Sequence, residues 1–188
     1  MGTPKGLVEF GGRYWIERQR AELRRAGLSR HIVVLGFHAD DYQARIPGLP
    51  VVLNPDPELG PFSSLLEGLS CVGPRESAAY VLPIDVPCAD PQTWQMMGEA
   101  LKEGLQAVVP EYRGMGGHPV LLSRELIEKL LRCSPEASES RLDRQLQRLP
   151  TGAVGRVAVD DVLILGNLNR PEDWFTFPDH ERPADFRK

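Results

Sequence analysis

Ala78-Ala79-Tyr80-Val81-Leu82-Pro83-Ile84-Asp85-Val86-Pro87 is an apolar run that ends on one carboxylate set among prolines. A short continuous apolar run of this kind reads as a strand buried on both faces. Asp85 then lies just past the strand end, where its carboxylate projects at the edge of a cleft. The same pattern recurs outward along the chain. Ile32-Val33-Val34-Leu35 stops at Gly36, and Val51-Val52-Leu53 stops before Asn54-Pro55. Downstream, Ala107-Val108-Val109, Val120-Leu121-Leu122 and the late run Val162-Leu163-Ile164-Leu165 repeat it.

Helical signals lie between these runs. Tyr14 to Ala26 places Ile16 and Leu23 on one face and closes at Gly27. A second helix covers Ser63 to Leu69 after Gly60-Pro61. Asp90-Pro91 opens a third, which runs to about Lys102 before Gly104. Ser123 caps a fourth through Arg132, a fifth covers Leu142 to Leu149, and Pro171 opens a short one toward Trp174. Apolar strands alternating with amphipathic helices predict an α/β fold, a Rossmann-like three-layer sandwich with a mostly parallel sheet and right-handed crossovers. The chain of 188 residues suffices for one domain, expected over 1–177, with a polar tail over 178–188.

Composition removes several function classes. The formal net charge is -4 and the pI about 5.6, with no basic tract, so nucleic acid is not expected as a main partner. No stretch is long and apolar enough to span a membrane. Met1-Gly2-Thr3-Pro4-Lys5 does not read as a signal peptide, and Gly6 breaks the myristoylation pattern begun by Gly2. Cys71, Cys88 and Cys133 are scattered and odd in number, which suits a reducing cytoplasm. The histidines at 31, 38, 118 and 180 have no metal-ligand spacing.

In a sheet of this type, ligands bind at the carboxyl ends of the strands. Asp85 there can hold a hard cation, which needs few protein oxygens when phosphates and water supply the rest, or it can cap the next turn. Lys5 can meet a phosphate as a mobile point charge, or be a solvated lysine. Gly116-Gly117-His118-Pro119 allows close backbone approach to a ligand, with His118 donating to a phosphate or ring heteroatom; otherwise His118 is a turn histidine. Asn54, Gly60, Ser63 and Ser64 surround a helix start that favours anions, although either serine can be a simple cap. Asn167, Asn169, Glu172 and Asp173 form a polar cluster whose ordinary reading is an Asx turn and helix cap.

Taken in order, these pieces resemble the MobA-like family of nucleotidyltransferases from residue 1 to about 175. Met1-Gly2-Thr3-Pro4-Lys5 looks like the tail of that family's G-x-S-x-R-M-G-x-x-K loop, and Phe10-Gly11-Gly12-Arg13 like the segment after it. Val33-Val34-Leu35-Gly36 matches the second strand and its glycine. Asn54-Pro55-Asp56 and Gly60 through Gly68 resemble the base-contacting segment. Leu82-Pro83-Ile84-Asp85-Val86-Pro87 looks like the metal-binding D-x-P motif, Gly117-His118-Pro119 like G-H-P, and Asn167 to Asp173 like the closing D-x-D-T-P-E-D. The order and spacing carry the resemblance; no single motif is specific.

The resemblance implies a fold of the nucleotide-diphospho-sugar transferase type. It implies magnesium held by Asp85 with Asn167 and Asn169, and Lys5 on the triphosphate. The segment from Asn54 to Ser64, with Gly117 and His118, would shape the pockets. The implied reaction transfers a nucleotidyl group from CTP or GTP to the terminal phosphate of molybdopterin, releases pyrophosphate and serves a molybdoenzyme client. The Asn-Pro-Asp and Gly-His-Pro signatures look more like the cytidylyl branch. A sugar-phosphate acceptor, or a non-catalytic relative that only binds nucleotide or cofactor, are the competing readings. The family's opening strand and the body of its Gly-rich loop would precede Met1, for which a start codon set too far downstream or a shortened chain is the simplest account. A chain truly complete at Met1 would have a weakened core and poor catalysis. Asn167 and Asn169 stand where many relatives have Asp, which should weaken magnesium binding.

Overall fold

Gly11 and Gly12 have φ of 58° and 75°, the left-handed pair a two-residue hairpin turn requires. They join β1 (Glu9–Phe10) to β2 (Arg13–Tyr14), after a 3-10 turn at Lys5–Leu7. α1 (Trp15–Arg25) follows. The Tyr14 N–H donates to the Glu17 carboxylate at 3.1 Å across its first turn, and Gly27, with φ 83°, ends it. The chain continues through β3 (Val33–Leu35), α2 (Ala39–Arg45), β4 (Val51–Leu53), a 3-10 turn at Pro57–Leu59, α3 (Pro61–Ser70) and β5 (Ala78–Val81). Then come α4 (Pro91–Ala100), β6 (Ala107–Tyr112), β7 (Met115–Gly116), β8 (Val120–Ser123), α5 (Arg124–Leu130), α6 (Leu142–Gln147), β9 (Val154–Ala158) and a 3-10 turn at Val162–Leu165. This is a computed structural model, and it describes residues 3–137, 140–169 and 173. Met1, Gly2, the short helix expected from Pro171 and the tail expected over 178–188 lie outside the described residues.

Alternation along β8 sets the layers. Val120 and Leu122 face one side, where they pack with Phe62 and Leu69 of α3 and Leu126, Ile127 and Leu130 of α5. Leu121 faces the other side, with Val108 of β6 and Met97 of α4. Met97, Val108, Leu122 and Ile127 are fully buried. A sheet covered by helices on both faces is the three-layer sandwich expected of the fold class.

The strand directions are more mixed than the apolar patterning suggests. β3 and β4 form a parallel pair, Val33 opposite Val51 and Leu35 opposite Leu53. The larger, five-stranded sheet runs β5-β8-β6-β7, with β9 beside β6. β5, β6 and β9 share one direction, and β8 runs against both β5 and β6. The reversal follows from chain length. Between Tyr112 and Val120 there is room only for the β7 hairpin, while a parallel crossover needs about a dozen residues or more.

One expected strand is a helical turn instead. Val162–Leu165 forms a 3-10 turn, with the Asp161 carboxylate accepting from the Leu163 N–H at 3.0 Å. The other oxygen of that buried carboxylate accepts from the Asp90 N–H at 2.7 Å and the Thr93 hydroxyl at 2.9 Å. Asp161 thus starts the turn and caps α4 from outside; Asp90 takes the N-cap position without a capping side-chain hydrogen bond. A buried apolar quartet cannot be told from a strand by periodicity alone. The strand at this end of the sheet is β9, whose Gly155 and Arg156 dilute the apolar signal.

Candidate active site

Burial on α1 begins the construction of the site. Trp15, Ile16 and Gln19 are its buried residues. The Trp15 indole N–H donates to the Ile84 carbonyl at 2.7 Å. Gln19 Nε2 donates to the Val86 carbonyl at 2.6 Å, and its Oε1 accepts from the Cys88 N–H at 2.9 Å. α1 therefore holds the main chain on both sides of Asp85. From the opposite end of the sequence, the Leu168 N–H donates to the Asp85 carbonyl at 2.7 Å.

This framework brings the separated candidates together. Lys5 Nζ donates to Asp85 Oδ2 at 2.8 Å and to Asn169 Oδ1 at 2.5 Å. Asn169 Nδ2 donates to Asn167 Oδ1 at 2.5 Å, and the Asn169 N–H donates to the Asp173 carboxylate at 2.8 Å. The side chains of Lys5 and Asp85 are 29% and 28% exposed, and an ion pair that accessible contributes about 0–1 kcal/mol. That is too little for the cluster to be explained as a stabilising device.

A hollow of about 260 Å³ lies beside this cluster, lined by Pro83, Asp85, Gly117, His118, Gly166 and Asn167 among others. The His118 N–H donates to the Ile164 carbonyl at 2.9 Å, and the His118–Pro119 peptide is cis. The His118 Nδ1 is buried and has no hydrogen-bond partner among the described residues. Burial pushes the imidazole below its ordinary pKa, against the upward pull of the Asp85 charge and of a Val81 backbone hydrogen bond. His118 is therefore a neutral imidazole at neutral pH. Gly117 is needed for a tight contact of the chain with itself, since a Cβ there would come within 2.3 Å of the Ile164 carbonyl oxygen.

Asn54, Gly60, Ser63 and Ser64 form a second hydrogen-bonded cluster where β4 passes into α3. Asn54 is buried. Its Nδ2 donates to Ser63 Oγ at 2.8 Å and Ser64 Oγ at 2.9 Å, and its Oδ1 accepts from the Asp56 N–H at 3.0 Å. The Ser63 hydroxyl turns back to the carbonyls of Gly60 and Asp56, at 2.8 and 3.1 Å. Gly60, with φ 88°, is the N-cap of α3. Each cluster is held by its own bonds.

Sequence reasoning missed Trp15 and Gln19. The signal was available for Gln19, a polar residue on the apolar face of α1 between Ile16 and Leu23.

Asp85 Oδ2, Asn169 Oδ1 and Asn167 Oδ1 are hard oxygen donors, and the Lys5 ammonium already bridges the first two as a cation would. Among the described residues no group of three or more His, Cys, Asp or Glu gathers. The donor set fits a hard divalent cation that brings phosphate and water ligands of its own.

The profile of the MobA-like NTP transferase domain matches residues 1–149. No curated protein matches the chain. Among solved structures, a homolog of Mycobacterium tuberculosis Rv0371c from Mycobacterium sp. strain JC1 is similar at 26% identity and TM-score 0.74, over 93% of this chain and 86% of that one. The complex of Rv0371C from Mycobacterium tuberculosis with manganese is 24% identical, with TM-score 0.71 over 91% of this chain and 89% of that one. A nucleotidyl transferase from Methanothermobacter thermautotroptrophicus is 22% identical, with TM-score 0.75 over 94% and 84%. With most of its length matched by the family profile, and with the fold of these structures, the chain belongs to the MobA-like NTP transferase domain family.

Proposed function

We propose that this chain is an enzyme of the cytoplasm that transfers CMP or GMP from CTP or GTP to the terminal phosphate of molybdopterin, for delivery to a molybdoenzyme. A phosphate oxygen of the acceptor attacks the α-phosphorus of the nucleotide. A new P–O bond forms there, the bond from the α-phosphorus to the bridging oxygen of the β-phosphate breaks, and pyrophosphate leaves. The acceptor is itself the nucleophile, so the protein has to align two anions and neutralise their charge.

Lys5 supplies a mobile positive charge for the triphosphate. Asp85, Asn167 and Asn169 would hold magnesium, which polarises the phosphoryl oxygens when bound. His118, which lines the hollow and whose imidazole is pushed toward its neutral form by burial, would supply a hydrogen bond to a phosphate or ring heteroatom. The Asn54 to Ser64 cluster, at the carboxyl end of β4 and the amino end of α3, would contact the nucleoside, a reading supported by the usual position of ligands at strand carboxyl ends and helix amino ends.

The observation that carries this reading is the meeting of Lys5, Asp85 and Asn169 at 2.5–2.8 Å, from sequence positions 80 and more apart, beside a hollow edged by His118. The manganese bound to Rv0371C supports a divalent cation in this fold.

The test is pyrophosphate release by the full chain with magnesium, each NTP in turn, and molybdopterin or a panel of sugar phosphates as acceptor. Release with CTP or GTP and molybdopterin, lost in Asp85→Ala, is the expected result. Release only with a sugar phosphate transfers the assignment to that acceptor class. Nucleotide binding without release under any pairing makes the chain a binding protein, and undiminished release by Asp85→Ala removes the metal assignment.

A further inference from the structure

The Lys5 ammonium stands between the two oxygens best placed to hold a cation, Asp85 Oδ2 at 2.8 Å and Asn169 Oδ1 at 2.5 Å. An ammonium 2.5–2.8 Å from both oxygens repels a divalent cation brought to the same pair and crowds its approach. We infer that Lys5 is an internal competitor for the metal position: in the free protein its ammonium holds Asp85 and Asn169, and a metal ion displaces it with difficulty when alone and readily when nucleotide arrives with it. The inference rests on the reading of Asp85 as a metal ligand.

The local structure suits an exchange. The main chain is fixed immediately after Lys5. The Gly6 N–H donates to the Tyr42 hydroxyl at 3.1 Å, the Leu7 N–H donates to the Pro4 carbonyl at 2.9 Å, and the Leu7 side chain is 2% exposed. Gly6 admits no side chain, because a Cβ would lie 2.5 Å from the Tyr42 oxygen. The Lys5 side chain, by contrast, is 29% exposed and carries its charge on a flexible four-carbon stem. The ammonium can swing without the backbone moving.

Charge decides the order of events. Asp85 is the carboxylate that Lys5 engages, and the other cluster oxygens next to it are neutral amides. With Lys5 in place the Asp85 charge is already compensated, and the Asp173 carboxylate is engaged by the Asn169 N–H, so a metal ion alone gains little by entering. A nucleotide changes both sides of the balance. Its phosphates add ligands for the metal and an anionic acceptor for the displaced ammonium. Metal and nucleotide must then strengthen each other's binding, and by linkage the enhancement is the same in either order.

Manganese without nucleotide is the probe, with the free ion followed by electron paramagnetic resonance on the full chain. Lys5→Met should bind manganese about tenfold more tightly than the unmodified protein, the loss of one charge-assisted contact to Asp85. Lys5→Arg, which keeps the cation, should stay near the unmodified affinity. Equal or weaker binding by Lys5→Met overturns the inference while leaving Asp85 as a ligand. The double variant Lys5→Met, Asp85→Asn should lose the gain. If it keeps the gain, the metal assignment falls, and the inference falls with it. A readout on the unmodified protein does not depend on any variant folding: the acylation rate of Lys5, measured by mass spectrometry, should rise at saturating manganese, and an unchanged rate overturns the inference.

Discussion

Gln19 holds Val86 at 2.6 Å, amide nitrogen to carbonyl oxygen, so a residue near the start of the chain grips the loop that carries Asp85. Its other amide atom accepts from Cys88 at 2.9 Å, and the side chain is only 4% exposed. Both ends of a buried amide are thus spent on two main-chain groups that have to leave water when the protein folds.

Gln19→Leu should therefore do two things. It leaves the Val86 carbonyl and the Cys88 N–H without this partner, at a cost of roughly 2–4 kcal/mol for two desolvated groups. It also frees the main chain beside Asp85 without touching the carboxylate. Urea denaturation should show the stability loss, and the metal concentration for half-maximal pyrophosphate release should rise. Gln19→Glu, similar in shape, should keep the Cys88 contact and place a carboxylate oxygen against the Val86 carbonyl. A Gln19→Leu protein as stable as the parent would show that water satisfies both groups.

Much of the fold is written locally, and the misses have local causes. β3, β4, β5 and β8 coincide with continuous apolar runs, and α1, α3 and α4 with amphipathic stretches bounded by Gly or Pro. α2 escapes such a reading, because Ala39-Asp40-Asp41-Tyr42-Gln43-Ala44-Arg45 buries only Tyr42 and has no apolar stripe. β9 and the 3-10 turn after it exchange identities because the more apolar segment packs as a turn while the less apolar one pairs with β6. At the site, residue types and order point to Lys5, Asp85 and Asn169. Their mutual contact is not legible, since it depends on how the ends of the chain are brought together. The buried supports, Trp15, Gln19 and Asp161, carry no motif at all and act through main-chain groups that sequence does not display.

His118 gives the protein a pH dependence whose sign follows from its burial. Its folded-state pKa lies below the ordinary value, chiefly through desolvation. In acid the unfolded chain takes up the proton first, so stability falls with pH. The contribution is fully present above the unfolded pKa, about 6.5, and is lost as pH drops through the folded value. His31 is also pushed down, again mainly by burial, so it adds a slope of the same sign. His118→Asn should flatten the fall in melting temperature between about pH 7 and 5, and His31→Asn should remove a separate part of it. Melting curves at closely spaced pH values decide this. A slope unchanged in both variants would mean that neither imidazole loses enough water on folding to resist its proton.

Ser63 and Ser64 are adjacent in sequence and opposite in role. Ser63 is 5% exposed and its hydroxyl is used internally, donating toward the Gly60 and Asp56 carbonyls while Oγ accepts from Asn54. Ser64 also accepts from Asn54, but among the described residues no acceptor takes its own hydroxyl proton. A hydroxyl oriented by Asn54 with its proton unspent, on the first turn of α3, is suited to donate to a ligand, whereas Ser63 is suited to hold the turn. Ser63→Ala should then lower stability by about 1 kcal/mol with Ser64 still in place. Ser64→Ala should leave stability within about 0.5 kcal/mol and weaken nucleotide binding roughly five- to tenfold, the loss of one hydrogen bond to the ligand. Chemical denaturation and calorimetric titration with CTP and GTP separate the two effects. The division of labour fails if Ser63→Ala weakens the nucleotide and spares the fold, or if Ser64→Ala binds both nucleotides as the parent does.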